Sequence, residues 1–324
     1  MGKIFLAAIA AAALGTMTSA AELKFANFTP PFHTINASVI EKLNAEVSAA
    51  TDGGLTVRGY HGGELGAGPA EQYVRVLQGV TDMAWGLPGY TSSQFPKTMI
   101  AELPGAIPVD APGYEALWNA YEDNLADEFP GTVPLALWAS EPNIMIMKDH
   151  EIRKPEDLAG LKIRVAGATA ADVATALGAT PVQMPISQVY NALQTGLIDG
   201  VFTGSSTLTD FKLEEIANSY TYGAPLGRLV FYTVLNENVY NALSDDHRAA
   251  IDAASGIPLS RSAEEAWLAT ADAATQASRD AGDNVIIELT DTEIAAFSDA
   301  VADVVNAYVG AHDGAATLSA LRGE

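Results

Sequence analysis

One residue in this chain combines scarce charge with an apolar setting. In Gly160-Leu-Lys-Ile-Arg-Val-Ala-Gly167, Arg164 stands between Ile163 and Val165. A guanidinium is a planar fork of N–H donors that matches a carboxylate at two points. If Ile163 and Val165 face a core, strand alternation turns Arg164 to the opposite side. Two readings then stand together: a cation lining a crevice, or an arginine on an exposed strand face held by a nearby acid. Large aromatics add to the first. Phe28, Trp85, Trp138, Phe202 and Tyr232 all fall near predicted strand ends; each alone is ordinary core, but together they suit the wall of a pocket.

Signatures of catalysis are missing. The sequence has no GxSxG, HExxH, P-loop or helix-opening GxGxxG. Its five histidines, at 33, 61, 150, 247 and 312, are far apart, fit no metal-ligand spacing, and read as surface or turn residues. With no cysteine, disulfides, thiolate metal sites and cysteine nucleophiles are excluded.

The elements that must carry these residues alternate in type. Short β-rich runs at Leu23–Asn27, Leu55–Tyr60 and Thr81–Leu87 are separated by helical patterns at Asn36–Ala49 and Pro69–Gln78, a βαβαβ unit. Further along, Ala136–Trp138, Asn143–Lys148, Lys162–Ala166, Thr180–Met184, Gly200–Thr203, Phe231–Leu235 and Asn284–Leu289 read as strands. Thr169–Leu177, Ser187–Thr195, Asp245–Ala254 and Asp291–Val309 read as helices. The pattern predicts two α/β lobes with a ligand crevice at the carboxyl ends of the strands. Ser260–Gly282 runs without proline or internal glycine for about 35 Å at 1.5 Å per residue; it is either a brace across both lobes or a surface helix.

At 324 residues, 48% hydrophobic and 18% charged, the chain has material for a large core. A formal charge of −23, from 17 Lys and Arg against 40 Asp and Glu, argues against nonspecific binding of nucleic acid or anionic membrane. The first 21 residues place Lys3 before an apolar run from Ile4 to Leu14 and small residues at Ser19–Ala21, the order of a secretory signal peptide. The run is too short to span a bilayer, which takes about 20 residues. Cleavage is therefore expected after Ala20 or Ala21, leaving the mature protein outside the cytoplasm.

Six collinear segments carry a family likeness: Leu23–Pro30 (LKFANFTP), Gly62–Ala67 (GGELGA), Tyr73–Ala84 (YVRVLQGVTDMA), Ala101–Pro104 (AELP), Lys154–Val165 (KPEDLAGLKIRV) and Tyr190–Gly200 (YNALQTGLIDG). Their order resembles the solute-binding proteins of tripartite ATP-independent periplasmic (TRAP) transporters, the DctP family, over essentially the whole mature chain. The resemblance implies a two-lobe fold of the periplasmic-binding-protein type with a hinge and a long bridging helix. Lobe I is expected to comprise 22–142 with about 205–258, lobe II 143–204 with about 283–324, and the bridging helix 260–282. It further implies a receptor, commonly monomeric, that closes on an organic acid and docks on membrane permease subunits, with no cofactor and no nucleic acid. A metal ion bridging ligand and protein occurs in some relatives.

By the same resemblance Arg164 clamps the ligand carboxylate, and Trp85, Phe28 and Asn27 reach the cleft. The chain departs from the sugar-acid binders at two places. Asn143 stands where they carry a second arginine, and Thr203 and Phe202 stand where they carry an amide. The expected site, with Tyr232 added from the aromatic set, is thus less cationic and more aromatic, suited to a small monocarboxylate that is aromatic or branched. An amine or quaternary ammonium caged by aromatics remains a second ligand class, and a secreted enzyme or a sensor subunit on the same scaffold a different class of function.

Overall fold

The computed structural model describes residues 21–324; the signal-peptide reading concerns residues that, Ala21 apart, lie outside them. Eleven strands form two sheets. They are β1 (Ala21–Ala26), β2 (Leu55–Tyr60), β3 (Met83–Gly86), β4 (Thr132–Pro142), β5 (Ile144–Met147), β6 (Lys162–Val165), β7 (Thr180–Gln183), β8 (Gly200–Thr203), β9 (Ser219–Tyr222), β10 (Arg228–Asn236) and β11 (Val285–Glu288). The first sheet has the order β2-β1-β3-β10-β4 and the second β11-β9-β5-β8-β6-β7. β1 is parallel to β2 and β3, and β10 runs antiparallel between β3 and β4. In the second sheet β6 is parallel to β7 and β8, while β5 is antiparallel to β8 and β9. This is the predicted pair of α/β lobes.

The chain passes between the two sheets at three places: from β4 into β5 through Asn143, from β9 into β10 through Gly223–Gly227, and along the helix Ile257–Ala281 into β11. Gly227 has φ +71, and a Cβ there would lie 1.8 Å from the Glu102 carbonyl oxygen, so the second crossover requires glycine. The long helix is a brace. Ser260 Oγ accepts from Leu137 N in β4, and Glu264 accepts from Gly113 N, Tyr114 N and Ala139 N, fixing it to the first lobe. Toward the second lobe, Ser205 Oγ donates to Ala271 O and Tyr222 Oη lies 3.0 Å from Thr275 Oγ1.

The helix begins three residues earlier than its pattern suggested. Pro258 sits in its first turn, where a missing N–H costs nothing, and Gly282 ends it in the left-handed conformation.

Strand pairing departs from the expected lobe boundaries. β9 lies inside 205–258, the stretch assigned to lobe I, yet pairs with β5 and β11 in the second sheet; of this stretch only β10 enters the first. Ser219-Tyr-Thr-Tyr222 carries no apolar run to mark it as a strand. At the other end β11 joins the second sheet, but the helix Ala315–Arg322 packs on the helix Gly113–Ala120 of the first lobe. There Arg322 Nε donates to Gly105 O.

Asp291–Ala311 is the described helix that is long and apolar enough by composition to cross a membrane. It carries Asp299 and Asp303 and buries Phe297, Val301 and Tyr308.

Candidate functional site

The two sheets face one another across a cavity whose walls differ in character. From the first lobe come Phe28, just past β1, Trp85 on β3, and Leu229 and Phe231 on β10, with Trp267 supplied by the bridging helix. The second lobe gives Arg164 on β6, Thr203 at the end of β8, and Ser206 and Asp210 on the short helix Ser206–Asp210 that follows. The aromatic wall is continuous. Phe28 stacks on Trp85 at 4.5 Å, Trp138 on Phe231 at 5.2 Å, and Trp267 meets Trp85, Trp138 and Phe231 between 5.3 and 6.1 Å. The free volume between the walls is about 30 Å³, room for water but not for a ring. A ligand of that size enters only as the lobes part.

Arg164 is the polar centre. Ile163 and Val165 lie in the core of the second lobe, so alternation aims the guanidinium the other way. The residue is 1% exposed. Its Nε donates to Met184 O at 2.9 Å, whereas Nη1 and Nη2 are buried without any partner. Burial pushes this guanidinium below its ordinary value, opposed by the nearby Tyr90 hydroxyl and Glu102 carboxylate. The Tyr90 hydroxyl lies close enough to favour the charged guanidinium but does not meet hydrogen-bond geometry with Nη1 or Nη2; it accepts from Ile186 N at 3.1 Å, and Glu102 accepts from Val230 N and Thr169 Oγ1. Two N–H faces of a buried cation are thus available to an incoming acceptor.

Other buried titratable groups surround the cavity. His33 Nδ1 accepts from Ile35 N, which leaves its proton on Nε2, 3.6 Å from Asp210 Oδ2. Burial lowers the His33 pKa to about 3 and raises that of Asp210 to about 6. Glu141, at the end of β4, accepts from Ser206 N through Oε1 while its Oε2 has no partner; burial pushes it up to about 7, against the Ser206 hydrogen bonds. Glu102 is likewise pushed up to about 7 by burial. Among the described residues no group of three or more His, Cys, Asp or Glu is placed to hold a metal.

The eight residues expected at the site divide evenly. Arg164, Trp85, Phe28 and Thr203 line the cavity, and Thr203 Oγ1 is buried without a partner. Asn27 lies behind the wall: its Oδ1 accepts from Trp85 Nε1, Thr29 N and Thr29 Oγ1, so it holds Trp85 in place. Phe202 packs into the second lobe's core on the far face of β8. Tyr232 packs with Tyr73 and Phe95 on the far face of β10. Asn143 sits in the crossover, donating Nδ2 to Leu226 O and N to Gly227 O, and lines a separate groove.

Three of the four residues that lie outside the cavity do so for one reason. Phe202 adjoins Thr203, Tyr232 adjoins Phe231, and Asn27 adjoins Phe28; in each pair one side chain faces the cavity and its neighbour faces away. The reading of His33 as a surface or turn histidine is also corrected. It is 2% exposed and edges Phe211 and Trp267 in the cavity wall, because the turn after β1 folds inward beneath the bridging helix. Trp267 and Asp210 carried no local signal, since both reach the cavity only through tertiary packing.

The sequence matches the family described as bacterial extracellular solute-binding protein, family 7 (DctP), over residues 25–310. The chain belongs to the DctP family. Solved structures agree with this DctP assignment. A TRAP solute-binding protein from Rhodoferax ferrireducens, solved with copurified benzoate, is 30% identical with a TM-score of 0.87, over 93% of this chain and 96% of that one. One from Bordetella bronchiseptica, holding (R)- and (S)-mandelate, is 30% identical with a TM-score of 0.85, over 94% and 98%. A third, from an unidentified marine microbe, is specific for aromatic acid ligands and holds metahydroxyphenylacetate. It is 28% identical with a TM-score of 0.86, over 94% and 98%. By sequence alone this DctP chain spans somewhat more than half the length of the curated relatives it first matches.

Proposed function

We propose that the protein is an extracytoplasmic receptor of a TRAP transporter. It captures a small monocarboxylate, aromatic in its main class, between the two lobes and presents it to membrane permease subunits from the periplasm. The observation that carries this reading is Arg164, a buried guanidinium with two unpartnered nitrogens on a cavity walled by Phe28, Trp85, Phe231 and Trp267. A ligand carboxylate supplies the counter-charge that the protein withholds, and the ring lies against aromatic faces. Relatives that hold benzoate, mandelate and metahydroxyphenylacetate support the same ligand class.

Charge argues against the amine alternative, since a cationic ligand would be buried beside an uncompensated guanidinium. A dicarboxylate is equally ill served: Arg164 is the one cation lining the cavity among the described residues, and Asp210 faces a second carboxylate with like charge.

The test is a melting-temperature screen of the mature protein with benzoate, mandelate, succinate and choline. Monocarboxylates are expected to raise the melting point. A shift with choline or succinate and none with the aromatic acids would overturn the proposal.

A further inference from the structure

The cavity has a second polar feature that a plain aromatic acid leaves unused. Asp210 is 5% exposed and lines the cavity, and its measured contacts are long, Thr34 N at 3.4 Å from Oδ1 and His33 Nε2 at 3.6 Å from Oδ2, with the Thr34 hydroxyl also favouring the charged form. Hydrogen bonds from N–H to oxygen centre near 2.9–3.0 Å, so this carboxylate retains acceptor capacity. Thr203 Oγ1 is buried in the lining of the same cavity without a partner. The segment from Thr203 to Asp210 therefore presents one unpartnered hydroxyl and one carboxylate whose contacts are long, and buried groups of this kind are costly unless a partner completes them.

We propose that Asp210, which lines the same cavity as Thr203, accepts a hydrogen bond from a hydroxyl group of the ligand. The site then prefers a carboxylic acid that also carries a hydroxyl over the same acid without one. This rests on the receptor reading above and deepens it by naming the second functional group of the ligand. A hydroxyl suits Asp210 better than an ammonium. Its present contacts, with Thr34 and His33, are uncharged donors, and His33 is fixed as a neutral Nε2–H tautomer by the Ile35 N contact. A hydroxyl extends that set without desolvating a second cation beside Arg164.

Rejection of the analogue lacking the hydroxyl follows the same logic, because the acceptor is then left buried and incomplete.

Calorimetric titration of the mature protein with 3-hydroxybenzoate against benzoate, and with 3-hydroxyphenylacetate against phenylacetate, tests this. The hydroxylated acid of each pair is expected to bind about tenfold or more tightly. In Asp210→Asn, which keeps shape and places an N–H donor where Oδ2 was, the ratio within each pair is expected to fall toward one. Asp210→Ala provides a second variant should Asp210→Asn fold poorly, and the wild-type pairs need neither. Equal affinity within both wild-type pairs overturns this inference and leaves the receptor reading intact, as does an amino-substituted acid that outbinds its hydroxyl counterpart. Failure of every acid to bind overturns both.

Discussion

Replacing Arg164 by Met separates its role as a ligand clamp from a role in holding the fold. Methionine approximates the length and volume of the side chain and removes the charge. In the free protein the loss is one hydrogen bond, Nε to Met184 O, worth about 1 kcal/mol. Against that stands relief of a buried cation whose Nη1 and Nη2 have no partner, a substitution that is often neutral or stabilising by about 1–4 kcal/mol. The free variant is therefore expected to melt within a few degrees of wild type, or above it. Were Arg164 instead the structural partner of Glu102, removing it would strand a buried carboxylate and cost about 3–5 kcal/mol. Binding should behave in the opposite way. Loss of a two-point charged contact in a desolvated cavity costs about 2–5 kcal/mol, or about 30-fold to several thousand-fold in affinity. A ligand at 100 times its dissociation constant adds about 2.7 kcal/mol to wild-type stability, a shift of about 5 °C for a chain of this size. At the same concentration the variant should show almost none. Paired melting curves with and without benzoate read both quantities at once. A variant that unfolds much earlier but keeps its ligand shift would refute the clamp.

Two further outcomes follow from groups around the cavity. Lobe closure is held in part by Ser92, whose Oγ accepts from Ala168 N at the start of the helix Ala168–Ala176 across the cleft; Ser92→Ala should raise the ligand's dissociation constant about fivefold, mainly through faster release, and stopped-flow rates that leave release unchanged would count against it. Stability should fall as pH rises from about 4.5 to 7, because Glu141 and Glu102, pushed up to about 7, and Asp210, pushed up to about 6, keep protons in the folded chain that the unfolded chain has released. His33, lowered to about 3, acts in the opposite sense between pH 3 and 6.5, one group against three. Glu141→Gln should thus gain about 1–3 kcal/mol over wild type at pH 8 and little at pH 4.5, and an equal gain in denaturant melts at both values would sink the assignment.

Periodicity made the alternation of strands and helices legible, and with it the two lobes, because each element buries a face whose spacing is written locally. Arg164 was legible for the same reason: a cation inside an apolar strand has only two faces to choose from. The register of the aromatics was not. Whether Phe231 or Tyr232 meets the cavity depends on which face β10 turns toward β3 and β4, and that is set by pairing with strands about 90 and 145 residues away. His33 and Asp210 illustrate a harder limit. Both are polar, both sit in turns or short helices that a sequence marks as surface, and both are buried because the bridging helix crosses above them. β9 was missed because Ser219 and Thr221, buried within the sheet, lack the apolar alternation of a strand.

The formal charge of −23 sits uneasily beside an anionic ligand until distance is considered. Surface charges act through water and are screened beyond about 8–10 Å, so most of the acidic excess counts for little inside the cavity. Several of the chain's other arginines already face acids at the surface, as Arg75 does Glu71, Arg153 does Glu293 and Arg279 does Glu288. Arg164 has no such contact. Two buried carboxylates behind the cavity walls, Glu102 and Glu141, are ones that burial disposes to hold a proton near neutral pH, which weakens their opposition to an incoming acid. At close range and reduced dielectric the attraction between Arg164 and a carboxylate is several-fold what it is in water. Closure strengthens it further by expelling solvent. The ligand's charge therefore favours approach of the two lobes around it, so selection of the ligand and closure of the lobes draw on the same unpaired guanidinium.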